Sequence, residues 1–203
     1  MKTLILFSAF VLPACFCEAQ SFEKGKGVAD AGIGFALYHN EATQTNPDWN
    51  EKDTAGAIIF PVNYEYGIMN WLGVGGMFRF SNYIEGDSSS TQAVGTDVSG
   101  RINFHAPLSS KRIDLLAGVT FGYSFIRYSA NDALGTEAKG HGINFGVEGM
   151  ARFYFSDHFG IFFNGGYLMH DYPSVVISNS IAEEEFHYSE SGFDLGLGIM
   201  IKF

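Results

Sequence analysis

The chain has 203 residues, a one-domain length, with 25 Gly, 20 Phe, only 5 Pro and a formal net charge of −10. This composition excludes a disordered chain and lacks the Ala, Glu, Lys and Leu excess of a helical one. Its acidity argues against nucleic acid or an anionic membrane surface as a partner. Mean hydropathy is near zero, which does not exclude a membrane protein, because strands that alternate apolar and polar residues cancel in a sliding average.

The chain begins "MKTLILFSAFVLPACFCEAQ". Lys2 gives a positive start, Leu4 to Leu12 a short apolar core, and Cys17 and Ala19 small residues before a cut ahead of Gln20. Residues 1–19 are therefore expected to be a cleaved signal peptide, with residues 20–203 as one barrel domain. Within it, "LPAC" has the look of a lipobox that would make Cys15 a lipidated first residue, although Pro13 departs from that pattern. Cys15 and Cys17 are the only cysteines, so cleavage after Ala19 leaves no thiol and no disulfide. No later apolar run is long enough for a transmembrane helix.

Beyond the signal, apolar and polar residues alternate. In "GVADAGIGFALY", Ala29, Ala31, Ile33, Phe35 and Leu37 share one face and Asp30, Gly32, Gly34 and Ala36 the other. After the polar "HNEATQTNPDWNEKDTAG", expected as a loop, the segment "AIIFPVNYEYGI" sets Ile58 to Ile68 at every second position opposite Asn63 and Glu65. A short turn at Asn70 and Trp71 leads to Leu72, Val74, Phe78 and Phe80 opposite Met77, Arg79 and Ser81. "VGTDVSGRINFHA" opposes Val98, Ile102 and Phe104 to Asp97, Ser99, Arg101, Asn103 and His105. A fifth segment carries Ile113 to Phe125, and a sixth sets Ile143, Phe145, Val147 and Phe153 against Asn144, Glu148, Arg152 and Tyr154. "FGIFFNGGYL" is the seventh, and "MHDYPSVVISNSIAEEEFHYSE" is expected as a long acidic loop whose apolar run could extend the strands beyond a membrane. The chain closes on "FDLGLGIMIKF".

Eight segments of roughly the 9–11 residues a tilted membrane strand needs, with connections alternately long and short, predict an all-β fold. It is an eight-stranded antiparallel transmembrane β-barrel of outer-membrane type, with both termini and the tight turns periplasmic. Trp71, Phe104, Phe155, Phe159 and Phe203 are expected at the periplasmic edge, and Phe35, Phe80, Phe125 and Tyr167 at the outer edge. A soluble sandwich or lipocalin-like barrel also alternates, but its non-apolar face would be charged and solvated. Here that face is Gly, Ser, Asn and a few opposed charges.

The export signal, the eight strands, "NYEYGIMNWLGVGG" and the terminal "LGLGIMIKF" resemble the small outer-membrane barrels of Gram-negative bacteria: the OmpA transmembrane domain, OmpX, OmpW and opacity-protein types. The Ala19–Gln20 junction is of a kind common in Bacteroidota. The resemblance covers nearly the whole mature chain and implies outer-membrane lipid and lipopolysaccharide as surroundings. It also implies that the insertion machinery reads Ile199, Ile201 and Phe203 as a C-terminal signal. Nothing of an OmpA-type wall-anchoring domain is expected after Phe203.

For the lumen, Arg79, Arg101 and Arg152 with Glu65 and Glu148 are the expected ion-pair network, joined by Asp30, Asp97 and Asp194. An eight-stranded barrel has room inside only for side chains, so charges there must pair. They form either a plug or a gate. "His187-Tyr188-Ser189" resembles the His-x-Ser element of the lipid A deacylase PagL, but no acidic partner comes after it at a suitable distance, so no enzyme is expected. Histidines 39, 105, 141, 158, 170 and 187 are read as scattered over loops and strand ends without metal-ligand spacing, and no cofactor motif is present. The expected role is structural or surface-interacting in a monomer. The alternative is a narrow porin-like or lateral path for hydrophobic solutes.

Overall fold

The computed structural model describes residues 21–45, 48–84, 91–130, 135–179 and 183–203. The expected signal peptide and Cys15 lie outside them. Eight strands run in chain order: β1 (Gly27–Thr45), β2 (Asp48–Met69), β3 (Leu72–Ile84), β4 (Thr91–His105), β5 (Ile113–Ala130), β6 (Glu137–Tyr154), β7 (Phe159–Ser178) and β8 (Glu183–Lys202). Each pairs antiparallel with the next, and β1 pairs with β8 from Val28↔Lys202 to Thr43↔His187, closing the barrel. Closure leaves no edge strand with unpaired backbone groups, the condition for strands to sit in hydrocarbon.

The burial pattern is inverted relative to a soluble protein. Phe193 is 70% exposed and Leu195 71%, while Arg152 is buried completely and Glu65, Asp30 and Arg101 are buried with it. Large apolar side chains turned out and charges turned in require an apolar surrounding. The outward apolar face stops abruptly near one end of the barrel, where Leu37 is followed at the next outward position by His39, Phe125 by Arg127, Met169 by Asp171 and Phe193 by Ser191. At the other end Trp71 stacks on Phe104 with centroids 6.2 Å apart. Near the first boundary Tyr167 meets Phe193 at 4.8 Å. Trp71 and Phe104 share one edge of the band and Tyr167 lies near the other, as the alternation predicts, and Phe193 joins Tyr167 there.

The polar stretches expected as loops are largely strand. β1 and β2 stay in register to Thr45↔Asp48, and β7 and β8 to Ser178↔Glu183. Above the apolar band the outward face meets water, so alternation fades while backbone pairing continues. The long connections are thus tall hairpins, highest at β1–β2 and β7–β8. The opposite end has the tight turns at residues 70–71 and 155–158. Pro173 interrupts β7 at a bulge between Tyr172 and Val175. Proline has no amide to give the ladder, and the extra residue shifts the inward face, so that Val175 and Ile177 come after His170 and Tyr172 on the inside.

Candidate functional site: a charged lumen beneath an open vestibule

The lumen is filled in tiers. Nearest the turn end, Arg152 from β6 reaches Glu65 of β2 at 2.7 Å, Asp30 of β1 at 3.4 Å and Asp114 of β5 at 3.4 Å. His105 of β4 joins the same cluster, with Nε2 2.7 Å from Glu65 and Nδ1 2.9 Å from Asp114. A carboxylate at each ring nitrogen is the arrangement that the two N–H donors of an imidazolium satisfy. In the middle, Arg101 pairs with Glu148, and Arg79 lies 3.5 Å from Asp194. At the hairpin end, His170 sits between Asp97 at 3.2 Å and Glu190 at 3.0 Å, the latter close enough for charge attraction though out of line for a hydrogen bond. Ser124 donates to Asp97, and the Tyr83 hydroxyl donates to Glu190 at 2.6 Å.

All five expected lumen residues, Arg79, Arg101, Arg152, Glu65 and Glu148, therefore lie inside the barrel, as do Asp30, Asp97 and Asp194. Arg101 and Glu148 meet, and so do Arg152 and Glu65. His105, Asp114, His170 and Glu190 belong to the same network and were not assigned to it from the sequence. Counting alternate positions back from Leu115 would have turned Asp114 inward, and counting on from Tyr167 and back from Phe193 would have done so for His170 and Glu190. The reading of His170 as a loop residue is corrected: it sits on β7, buried in the lumen.

The turn end carries a further element. Residues 21–26 fold into the mouth of the barrel as a strap. Phe22 is buried and stacks on the His105 ring at 3.5 Å and 3°. It packs with Val28, Tyr154 and Met200. Ser21 donates to the carbonyl of Ile113, and Lys202 donates to the carbonyl of Ser21. Gly25, at φ 83°, turns the strap into β1 in a conformation that favours glycine. A Cβ at Gly67 would run into the carbonyl oxygen of Glu23, so a side chain there would lift the strap off β2.

Among the described residues, none covers the hairpin end. Tyr38 and Tyr172, both fully buried, flank His170, and above them lies a cavity of about 710 Å³ whose wall includes Trp49, Tyr83, Ile126, Val175, Phe186 and Tyr188. On the outer surface of β8, His187 and Ser189 share a face. The His187 Nε2 is 2.6 Å from Asp171, and Nδ1 is 3.5 Å from the Thr43 hydroxyl, so both nitrogens are turned to neighbours other than Ser189. The C-terminal Ile199 and Phe203 are exposed on the apolar face, with Ile201 half-buried beside them.

No protein-family model and no curated protein matches the chain. Solved structures do. The outer membrane protein OprG from Pseudomonas aeruginosa aligns at TM-score 0.63 and 8% identity over 92% of this chain and 99% of its own. The outer membrane protein AlkL aligns at 0.57 and 13% identity over 95% and 96%. The outer membrane protease OmpT from Escherichia coli aligns at 0.51 and 9% identity over 92% and 99%. At such identities the likeness is one of fold. The chain has the closed-barrel fold of outer-membrane proteins, and its inverted burial fits the same apolar surrounding.

Proposed function

We propose that this chain is a monomeric, non-conducting outer-membrane barrel that works at its hairpin end, in a structural or surface-interaction role. The tight turns and both termini face the periplasm, and the hairpins face outward among lipopolysaccharide sugars. The observation that supports this most is the turn-end cluster. Arg152 and His105 draw Asp30, Glu65 and Asp114 from opposite walls across the lumen, and Phe22 covers the mouth. Opening a path there would separate buried charges from their partners, a step that is strongly unfavourable in a low-dielectric interior.

Planar-bilayer recording tests the closure. The refolded protein is expected to show no conductance steps, and a steady conductance altered by Arg101→Ala would overturn it. Labelling Asn50→Cys in whole cells with an impermeant maleimide tests the orientation, and protection of that cysteine would reverse it. Ile199, Ile201 and Phe203 serve as the insertion signal, so Phe203→Ala should lower the yield of assembled barrel in cells while leaving refolding in detergent intact.

The vestibule favours a second reading, a lateral path for hydrophobic solutes, in which an apolar molecule enters at the top and leaves through the wall. Under either reading the chain is not a hydrolase. Lipid A should keep its acyl pattern on expression, and loss of an acyl chain would identify Ser189 as a nucleophile after all.

A further inference from the structure

The vestibule has a chemistry distinct from the lumen beneath it. Its volume, about 710 Å³, suits a small-molecule site more than a packing gap. One wall is aliphatic, with Ile126, Ala138, Val175 and Ile177. The other is aromatic, where Trp49 meets Phe186 edge to face at 6.5 Å. The floor carries Tyr83 and Tyr188, both directed at Glu190.

Its charge is one-sided. Asp53 lines it, and none of the described lining residues is Lys, Arg or His. Alternation along β8 puts Glu184 on the face of Phe186 and Tyr188. The basic residues at this end are held on the outer surface, Lys52 by Glu41, and Arg127 and Lys139 by Glu137. Below the floor, the carboxyls of Asp30, Glu65, Asp97, Asp114, Glu148, Glu190 and Asp194 outnumber the three guanidiniums and two imidazoles among them.

We propose that this vestibule binds a small organic cation, an ammonium group carried on an aromatic or aliphatic body. The body displaces water from the apolar wall, while the ammonium meets the electron-rich faces of the tyrosines and Trp49. The negative floor and rim attract it and repel an anion of the same shape. The site rests on the reading of the hairpin end as the working end. Conductance tests the closed lumen and binding tests this site, so the two fail separately.

The chain has two tryptophans. Trp71 lies at the turn end, so Trp71→Phe leaves Trp49 as the single reporter in the cavity wall. This variant, folded in dodecyl maltoside, is titrated with benzyltrimethylammonium, benzyl alcohol and benzenesulfonate, which share one ring and differ in charge. The cation should change Trp49 emission saturably, and about tenfold tighter than the sulfonate, with the alcohol between them. Asp53→Asn with Glu184→Gln should weaken the cation several-fold and leave the alcohol unchanged. Ala138→Phe, which fills the cavity, should abolish binding, and Ala93→Leu does the same from β4 if the first variant loses its band shift on boiling. Equal affinity for all three probes, indifference to the two rim substitutions, or binding that survives the filled cavity would each overturn the proposal.

Discussion

The two ends of the lumen repeat one device under different covers. At each, a histidine sits between two carboxylates from different strands: His105 between Glu65 and Asp114, and His170 between Asp97 and Glu190. The first is sealed by the chain's own strap, Phe22 lying flat on the imidazole. The second is flanked by Tyr38 and Tyr172 and opens into an apolar bowl. The same charge arrangement thus acts as a stopper where a further segment covers it and as a floor where nothing described does. Charge pairing fills the barrel, and on the proposed closed lumen what lies over each pair decides what that end can do.

The comparison breaks most visibly at Arg152. Arg152→Ala would leave Glu65 and Asp114 sharing one imidazole and Asp30 with the Asn63 amide, a loss of about 3–5 kcal/mol by analogy with other buried pairs cut on one side. The urea midpoint of heat-modifiable migration should fall accordingly. Arg79→Ala, which strands only Asp194, should cost less. If the two variants are equally stable, the turn-end cluster is not the main lock.

A smaller effect separates the two covers. Phe22→Ala should let the strap lift rather than leave a cavity, because residues 21–26 can swing away from the barrel. The expected loss is about 1–2 kcal/mol, less than for a Phe deleted from a core that cannot relax. It should appear as faster hydrogen exchange at Gly25 and Gly67, whose amides bind the carbonyls of Gly67 and Lys26. The amides around His170 should keep their protection. Equal loosening at both ends would show that the two tiers form one cooperative unit.

Much of this fold was legible because a membrane strand writes its two environments on alternate residues. The run from Phe193 to Phe203 has bulky apolar side chains at every second place, and the structure turns those outward and Asp194 inward. Arg79, Arg101 and Arg152 were legible for the same reason, a charge opposite an apolar face having nowhere to go but the lumen. His170 and Glu190 were not, because at their level the outward face leaves hydrocarbon and becomes polar, erasing the contrast that marks a strand. The role of Phe22 left no signal at all. It depends on a strap folding back onto β4, a contact that no local periodicity encodes.

The smallest predicted effect concerns the collar above the band, where charge pairs stand in water instead of inside the barrel. Glu41 is held below the usual carboxylate range, chiefly by the Asn50 amide and then by Lys52, and Glu137 likewise by Lys139 and Arg127. Both are half-buried with exposed basic partners, so each pair contributes little and is screened by salt. A carboxyl whose folded pKa is depressed adds stability above its ordinary value of 4.5, and that stability is lost as pH falls through the folded value. Protection factors of amides in the β1–β2 and β5–β6 hairpins should therefore hold down to about pH 4.5 and decline below it, while those inside the band change less. Glu41→Gln should flatten the decline in the β1–β2 hairpin alone. A decline that begins in the band and reaches the collar afterwards would mean that the lumen carboxylates, not the collar, yield first to acid, and that water reaches the buried tiers more readily than their packing implies.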